Sequence, residues 1–256
     1  MKHIPNIFTL FNLFFGCLAI VCILQNGIVI QYNAEDAQSI VDIPERIAMA
    51  SVFMGLAAVV DFLDGFVARL LKVSSELGKQ LDSLADVVSF GVAPSLIVYQ
   101  FLRMSFAREE DGLMVSAIWL APAFILAMAA AYRLGKFNLD ESQQYGFKGV
   151  PTPAMGLLIA SFPLIYWYNP VEWVQQLLLN RWFWYGMIAV LSGLMISSLP
   201  LMALKFKSGS RLAENSPKLF LIAAAIILGI LFHWLAVPMV FILYILLSLI
   251  FKNKPA

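Results

Sequence analysis

Charge is what this 256-residue sequence has least of: Asp, Glu, Lys and Arg make up 13% of it against 61% hydrophobic residues, and mean hydropathy is +0.82. So little polar surface excludes an ordinary soluble domain. Cysteine and histidine are scarce too, at two each. Cys17 and Cys22 share one apolar run with no second pair nearby, which argues against a disulfide framework or a zinc site and for apolar packing. His3 and His233 stand alone and read as interfacial rather than catalytic. The first apolar run lacks a basic stretch of any length before it and a small-residue cleavage site after it, so it reads as a retained span, not a signal peptide.

What is present is a succession of apolar runs, each long enough to cross a hydrocarbon core of about 30 Å. Eight spans are expected, near 4–30, 46–70, 80–102, 113–135, 151–168, 182–204, 218–235 and 237–251, with Ala236 and Pro238 marking the turn between the last two. The expected fold is an all-α integral membrane protein, a polytopic helical bundle forming one domain over residues 1–256. With the N-terminus inside, 13 of the 17 Lys and Arg residues fall on the inner side and only Arg46, Arg103, Arg108 and Arg181 on the outer. That bias satisfies the positive-inside rule and places both termini in the cytoplasm.

The stretch DFLDGFVARL (61–70) interrupts this apolar pattern at the cytoplasmic end of the second span. Its continuation, LKVSSELGKQLDSLADVVSFG, is short enough at the connection to force the second and third spans into an antiparallel hairpin, with Ser74 and Ser75 as the turn. Asp61, Asp64, Gly65 and Ala68 follow i, i+3, i+4, i+7 spacing, and Gly78, Asp82, Asp86 and Ser89 follow i, i+4, i+8, i+11, so each set marks one helical face. The expected register sets Asp64 level with Asp82, and Asp61 level with Asp86 one turn deeper. Each charge at a helix centre in lipid costs roughly 2.5–3.5 kcal/mol, so four converging carboxylates require cations or water. A solvated helix end paired with Arg69, Lys72 and Lys79 is the simpler alternative, but it leaves the deep acids and the small residues on the same faces unexplained. Hard divalent cations suit such an oxygen-only set, and two of them together neutralise a pyrophosphate, which points to phosphoryl or phosphatidyl transfer.

The pattern D-x2-D-G-x2-A-R-x8-G-x3-D-x3-D, carried by Asp61, Asp64, Gly65, Ala68, Arg69, Gly78, Asp82 and Asp86, resembles the CDP-alcohol phosphatidyltransferase family without departure. IPNIFTLFNLFFG in the first span resembles the family's opening pattern, so the resemblance covers at least residues 4–160. SFGVAPS (89–95), RLGKFN (133–138) and FKGVPTPA (147–154) resemble its serine branch, the membrane-embedded phosphatidylserine synthases. Gly135 and Lys136 stand where Ala and Arg are usual, and Val150 where Leu is usual; Lys136 keeps the charge but lacks the two-pronged guanidinium.

The resemblance implies the CDP-alcohol phosphotransferase fold, with a catalytic core near 4–204 and two further spans over 218–251. It implies that Asp61, Asp64, Asp82 and Asp86 share two divalent cations, Mg²⁺ or Mn²⁺, and that Asp86 is also the general base. Asn6, Thr9, Asp61, Gly65, Ala68, Arg69 and Gly78 would line the CDP-diacylglycerol site. The implied reaction is attack of the L-serine hydroxyl on the phosphorus bearing diacylglycerol, with release of CMP, in a homodimer of a bacterial inner membrane with its active site on the cytoplasmic side. Nucleic acid is not an expected partner. Arg133 suits a carboxylate or phosphate and Lys136 and Lys148 a lipid phosphate, although positive-inside anchoring also accounts for the lysines. Ser95 and Asn138 are candidate polar contacts, and PTP (151–153) starts the fifth span. Lys205, Lys207, Arg211 and Lys218 form a basic loop suited to anionic lipid. Two other readings stay open: the same chemistry with glycerol 3-phosphate or an inositol phosphate as acceptor, and a divalent-cation transporter.

Overall fold

A computed structural model describes residues 4–33, 38–42, 44–71, 75–108, 112–139, 147–169, 171–202 and 212–251. Helix α1 (Ile4–Leu24) opens the chain and packs against α2 (Ile47–Leu71). Between them a hairpin pairs β1 (Val29–Asn33) with β2 (Gln38–Asp42), antiparallel, with Val29 opposite Asp42. The first helix thus stops six residues before the end of the expected span. Asn26 and Gly27 break it, and the following β-branched run, IVI, is taken up by the strand.

Helix α3 (Glu76–Asp86) begins where the Ser75 side chain accepts the Gly78 amide at 3.0 Å, an N-cap that satisfies one of the first turn's free donors. It runs through a π-helical stretch, Val87–Val92, into α4 (Ala93–Ala107), so SFGVAPS lies on the wide turn and the start of α4. That turn is pressed against α1. A Cβ on Gly16 would lie 2.2 Å from Ser89 Oγ and 2.9 Å from its Cα, so only glycine allows this approach. Ser89 Oγ in turn donates to the Asn12 carbonyl at 3.0 Å.

Beyond α4, the short helix α5 (Ala117–Leu120) passes through a 3₁₀ turn (Ala121–Phe124) into α6 (Ile125–Leu139). Helix α7 (Thr152–Tyr168) starts with prolines in its first turn, where a missing N–H costs nothing, and α8 (Glu172–Leu178) is a short helix that the hydropathy pattern does not suggest. Helix α9 (Arg181–Ile196) ends eight residues before the expected span. Pro200 and Leu201, the strand β4, pair instead with Phe147 and Lys148, the strand β3. The chain is all-helical apart from two short antiparallel pairings, β1 with β2 and β3 with β4, which lie in connections between helices. Helices α10 (Leu212–Phe232) and α11 (Ala236–Ile250) meet at a 3₁₀ turn, His233–Leu235, with His233 at φ 50°, so the break falls just before the expected Ala236–Pro238.

The core is aromatic. Trp184 stacks on Phe101 with centroids 4.9 Å apart and meets Phe162 edge-on at 5.3 Å, tying α9 to α4 and α7. Its indole N–H, which would be costly to bury unpaired, donates to Leu178 O at 2.7 Å. Among the described residues, five helical stretches are long and apolar enough to cross a membrane: Pro5–Leu24, Ile47–Leu71, Glu76–Ala107, Ala117–Leu139 and Ser216–Ile250. The large apolar side chains exposed along them, Phe62 and Ile230 among them, have a lipid phase to face. This is an all-helical integral membrane protein in its body.

Candidate active site

The site is built where α1, α2 and α3 meet. Ligand oxygens of Asp61, Asp82 and Asp86 lie within 4.8 Å of one another. Asp64 takes a different neighbour. Three residues on a helix turn through about 300°, leaving Asp64 about 60° from Asp61 around the axis. That rotation carries it toward α1, where the Thr9 hydroxyl donates to Asp64 Oδ2. Asp64 remains within electrostatic reach of Asp61 and Asp82. Asp64 thus stands beside the cluster of three, near Asp82, with a donor from α1 that α2 and α3 alone do not supply.

Asp86 is the most enclosed of the four at 6% exposure, and it accepts a hydrogen bond from Asn12 Nδ2 at 3.2 Å. Asn12 is fully buried, and its Oδ1 has no partner. Asn12 was not singled out from the sequence. A signal was there: Asn6, Thr9 and Asn12 recur every third residue in an otherwise apolar helix.

The nucleotide-side candidates follow α1 and the hairpin. Asn6 lies against Gly78, where a Cβ would stand 3.0 Å from Asn6 Oδ1 and 2.9 Å from Ser75 Oγ. At Gly65 a Cβ would meet nothing within 4 Å, which leaves open space beside the acids for a flat group to approach the backbone. Ala68 is half-buried and Arg69 exposed on the last turn of α2. The expected turn residue Ser74, like Lys72, lies outside the described residues.

On the other flank, Arg133 is buried within α6 and donates from Nη1 to Thr152 Oγ1 at 3.3 Å, while its Nε meets no partner. It is within electrostatic reach of Asp86 and of Tyr244 on α11. Arg133 and Lys136 line a small cavity with Tyr132 and Phe137, closed by Met195, Ile196 and Ser197 from the end of α9. Thr152, the middle of PTP, is thus the residue of that segment that touches the site's cation.

Ser95 and Asn138 are not brought there. Ser95 is fully buried and donates to Gly91 O at 2.8 Å within its own helix. Asn138 Nδ2 donates to Ser83 Oγ at 2.7 Å and its carbonyl accepts Lys79 Nζ at 2.8 Å, which fastens α6 to α3. Lys148 has its backbone in β3, paired with Pro200. Lys205, Lys207 and Arg211 lie outside the described residues, and Lys218 is buried on α10.

The acids fit a resident cation. Three carboxylates, Asp86 buried and Asp61 and Asp82 half-buried, converge as an oxygen-only donor set of the kind hard divalent ions prefer, and a bound cation would relieve the repulsion among them. Residues 2–192 match the family model described as CDP-alcohol phosphatidyltransferase. The chain belongs to that family. Its relatives include proteins named CDP-diacylglycerol–serine O-phosphatidyltransferase. The Helicobacter pylori one is 36% identical over 157 residues, 60% of this chain and 54% of the relative. The Bacillus subtilis one is 32% identical over 173 residues, covering 67% and 80% of the two chains. The Methanocaldococcus jannaschii one is 30% identical over 174 residues, covering 63% and 73%. The chain thus spans about half the length of the Helicobacter relative and most of the other two.

Proposed function

We propose that this chain is a membrane phosphatidyltransferase that moves the phosphatidyl group of CDP-diacylglycerol to the hydroxyl of L-serine and releases CMP. The observation that carries the reading is the convergence of Asp61, Asp82 and Asp86 beside Arg133, on the family's motif spacing. The names of the relatives support serine as the acceptor.

In this reading Asp61, Asp64, Asp82 and Asp86 hold two divalent cations, Mg²⁺ or Mn²⁺, which when bound supply neutralising charge to the pyrophosphate. The protein's own groups do the rest. Thr9 fixes the Asp64 carboxylate and Asn12 that of Asp86, so both are oriented before substrate arrives. Asn6, Gly65, Ala68 and Gly78 line the path of the nucleotide, and Arg69 meets its phosphates from the helix end. The Arg133 guanidinium, with Nε unspent, receives the serine carboxylate, and Lys136 widens the positive field of that pocket.

A serine hydroxyl needs a base within hydrogen-bond reach, and Asp86 is the acid on the Arg133 flank. The serine oxygen bonds to the phosphorus bearing diacylglycerol, the bond from that phosphorus to the bridging oxygen breaks, and CMP leaves with the bridging oxygen. The hydroxyl proton passes to an Asp86 carboxylate oxygen. Lys148 and the basic residues 205, 207 and 211 attract the anionic lipid surface.

The same reading makes residues 1–256 one domain with a core near 4–204. It takes α7 and α9 as crossings and counts Ser216–Ile250 as two, for eight in all. The termini and the acids face the cytoplasm of a bacterial inner membrane, on the positive-inside bias, and the family resemblance supports a homodimer. The test is CMP release by the purified protein from CDP-diacylglycerol with Mg²⁺ or Mn²⁺ and labelled serine, glycerol 3-phosphate or inositol phosphate. Release with serine alone is expected; release with another acceptor and none with serine overturns the assignment.

A further inference from the structure

The family match ends at residue 192, yet the cavity beside Arg133 is walled by Met195, Ile196 and Ser197, and the chain after it is held by the last helix. Tyr244 Oη donates to Met202 O at 3.1 Å, and Ser248 Oγ accepts the Met202 amide at 3.2 Å while donating to Tyr244 O at 2.7 Å. Both side chains are buried, at 9% and 1% exposure. Met202 is therefore fixed through both of its backbone groups by one helical turn of α11.

Met202 directly follows β4, whose partner is β3. The clamp continues through the backbone: Gly149 N donates to Leu199 O at 2.9 Å and Val150 N to Leu194 O at 3.1 Å. Gly149 has φ +75°, and a Cβ there would stand 2.5–2.9 Å from three carbonyl oxygens, those of Met195, Ser197 and Leu194. Three residues further on, Thr152 accepts Arg133 Nη1. An uninterrupted run of hydrogen bonds and covalent links thus leads from α11 to the guanidinium, and Tyr244 is also within electrostatic reach of that group.

We propose that Tyr244 and Ser248 are positioning residues for the acceptor pocket: by clamping Met202 they set the β3–β4 pairing, and through it the placement of Thr152 and Arg133. The inference rests on the reading above, in which Arg133 meets the carboxylate of the acceptor. It gives the C-terminal helix a role in reading the acceptor, not the nucleotide.

The test uses the full-length protein with steady-state CMP release, titrating serine and CDP-diacylglycerol separately, alongside thermal unfolding. Tyr244→Phe with Ser248→Ala is expected to raise the serine KM about three- to tenfold, the size of one or two neutral hydrogen bonds, with the CDP-diacylglycerol KM and kcat within about twofold. Ser248→Thr, which keeps the hydroxyl, restores the serine KM when paired with native Tyr244. Arg133→Gln is the control for the underlying reading. An unchanged serine KM in Arg133→Gln sinks that reading, and the positioning role with it. A raised serine KM in Arg133→Gln but an unchanged one in the double variant overturns the positioning role alone. A double variant in which both KM values rise together with lost thermal stability also overturns it, because the clamp is then only structural.

Discussion

The α2–α3 pair, whose helices both pack on α1, and the α10–α11 pair, whose helices pack on each other, hold their places by opposite means. The first buries charge: Asp61, Asp82 and Asp86 face one another, and α1 covers them with Thr9 and Asn12. The second carries no acid in its described membrane stretch beyond Ser216, and α10 leaves much of its surface to lipid. It is fastened at its two ends by neutral hydrogen bonds to backbone. Asn169 bridges the His233–Leu235 turn, donating to Phe232 O at 3.3 Å and accepting the Trp234 amide at 3.2 Å, while Tyr244 and Ser248 hold Met202 at the other end. Charge that cannot be solvated has to be placed by side chains at fixed spacing and so leaves a motif. Backbone fastening can be done by many side chains and leaves none.

Breaking the first hairpin is expected to have the largest effects. Asp86→Asn removes the proposed proton acceptor while keeping the shape, and turnover should fall about 10²- to 10⁴-fold with CDP-diacylglycerol binding largely spared. Full activity in that variant rules out the base role. Asp61→Ala should abolish the dependence of CDP-diacylglycerol binding on Mg²⁺ or Mn²⁺, measured as ligand retention with and without chelator; a metal response equal to that of the native protein counts against its place among the ligands.

The seam between the two regions should respond less in rate and more in stability. Gly149→Ala puts a side chain into a left-handed backbone facing three carbonyls, and should lower unfolding stability by about 1–3 kcal/mol. An unchanged midpoint would mean that the β3–β4 connection is not fixed there. The smallest effect belongs to the outer fastening. Asn169→Ala should cost about 0.5–1.5 kcal/mol and leave both substrate KM values alone. A change in serine KM from this variant would erase the distinction between the two ends of the C-terminal hairpin.

Much of the first region was legible without coordinates. Fixed i, i+3 and i+4 intervals in α2 and α3 predict which acids share a face, and the short connection predicts that the faces meet. The intervals do not say how the helices rotate against a third one, so the turning of Asp64 to Thr9 and the contact of Asn12 with Asp86 became visible only with α1 in place. Helix ends were misjudged for a related reason: IVI after Gly27 and LPL at 199–201 are as apolar as the spans beside them, and beyond the breakers Asn26 and Gly27 and around Pro200 strand pairing takes them up. Ser95 and Asn138 looked available because a polar residue in a span must bond something. The structure gives them Gly91 O and Ser83 Oγ.

Hydropathy, the charge bias and the spacing of eight motif residues were enough to determine that this chain is a helical membrane protein with a carboxylate cradle, because insertion energy and helical periodicity act on residues close in sequence. The tertiary structure decided which donors orient the acids, which cation stands beside Asp86, and that the last helix reaches back to the Arg133 flank. Those contacts join residues 55 to 77 positions apart in the acid cluster and over 40 apart at Met202, and the cost of an unpaired buried polar group sets them only once the helices have packed.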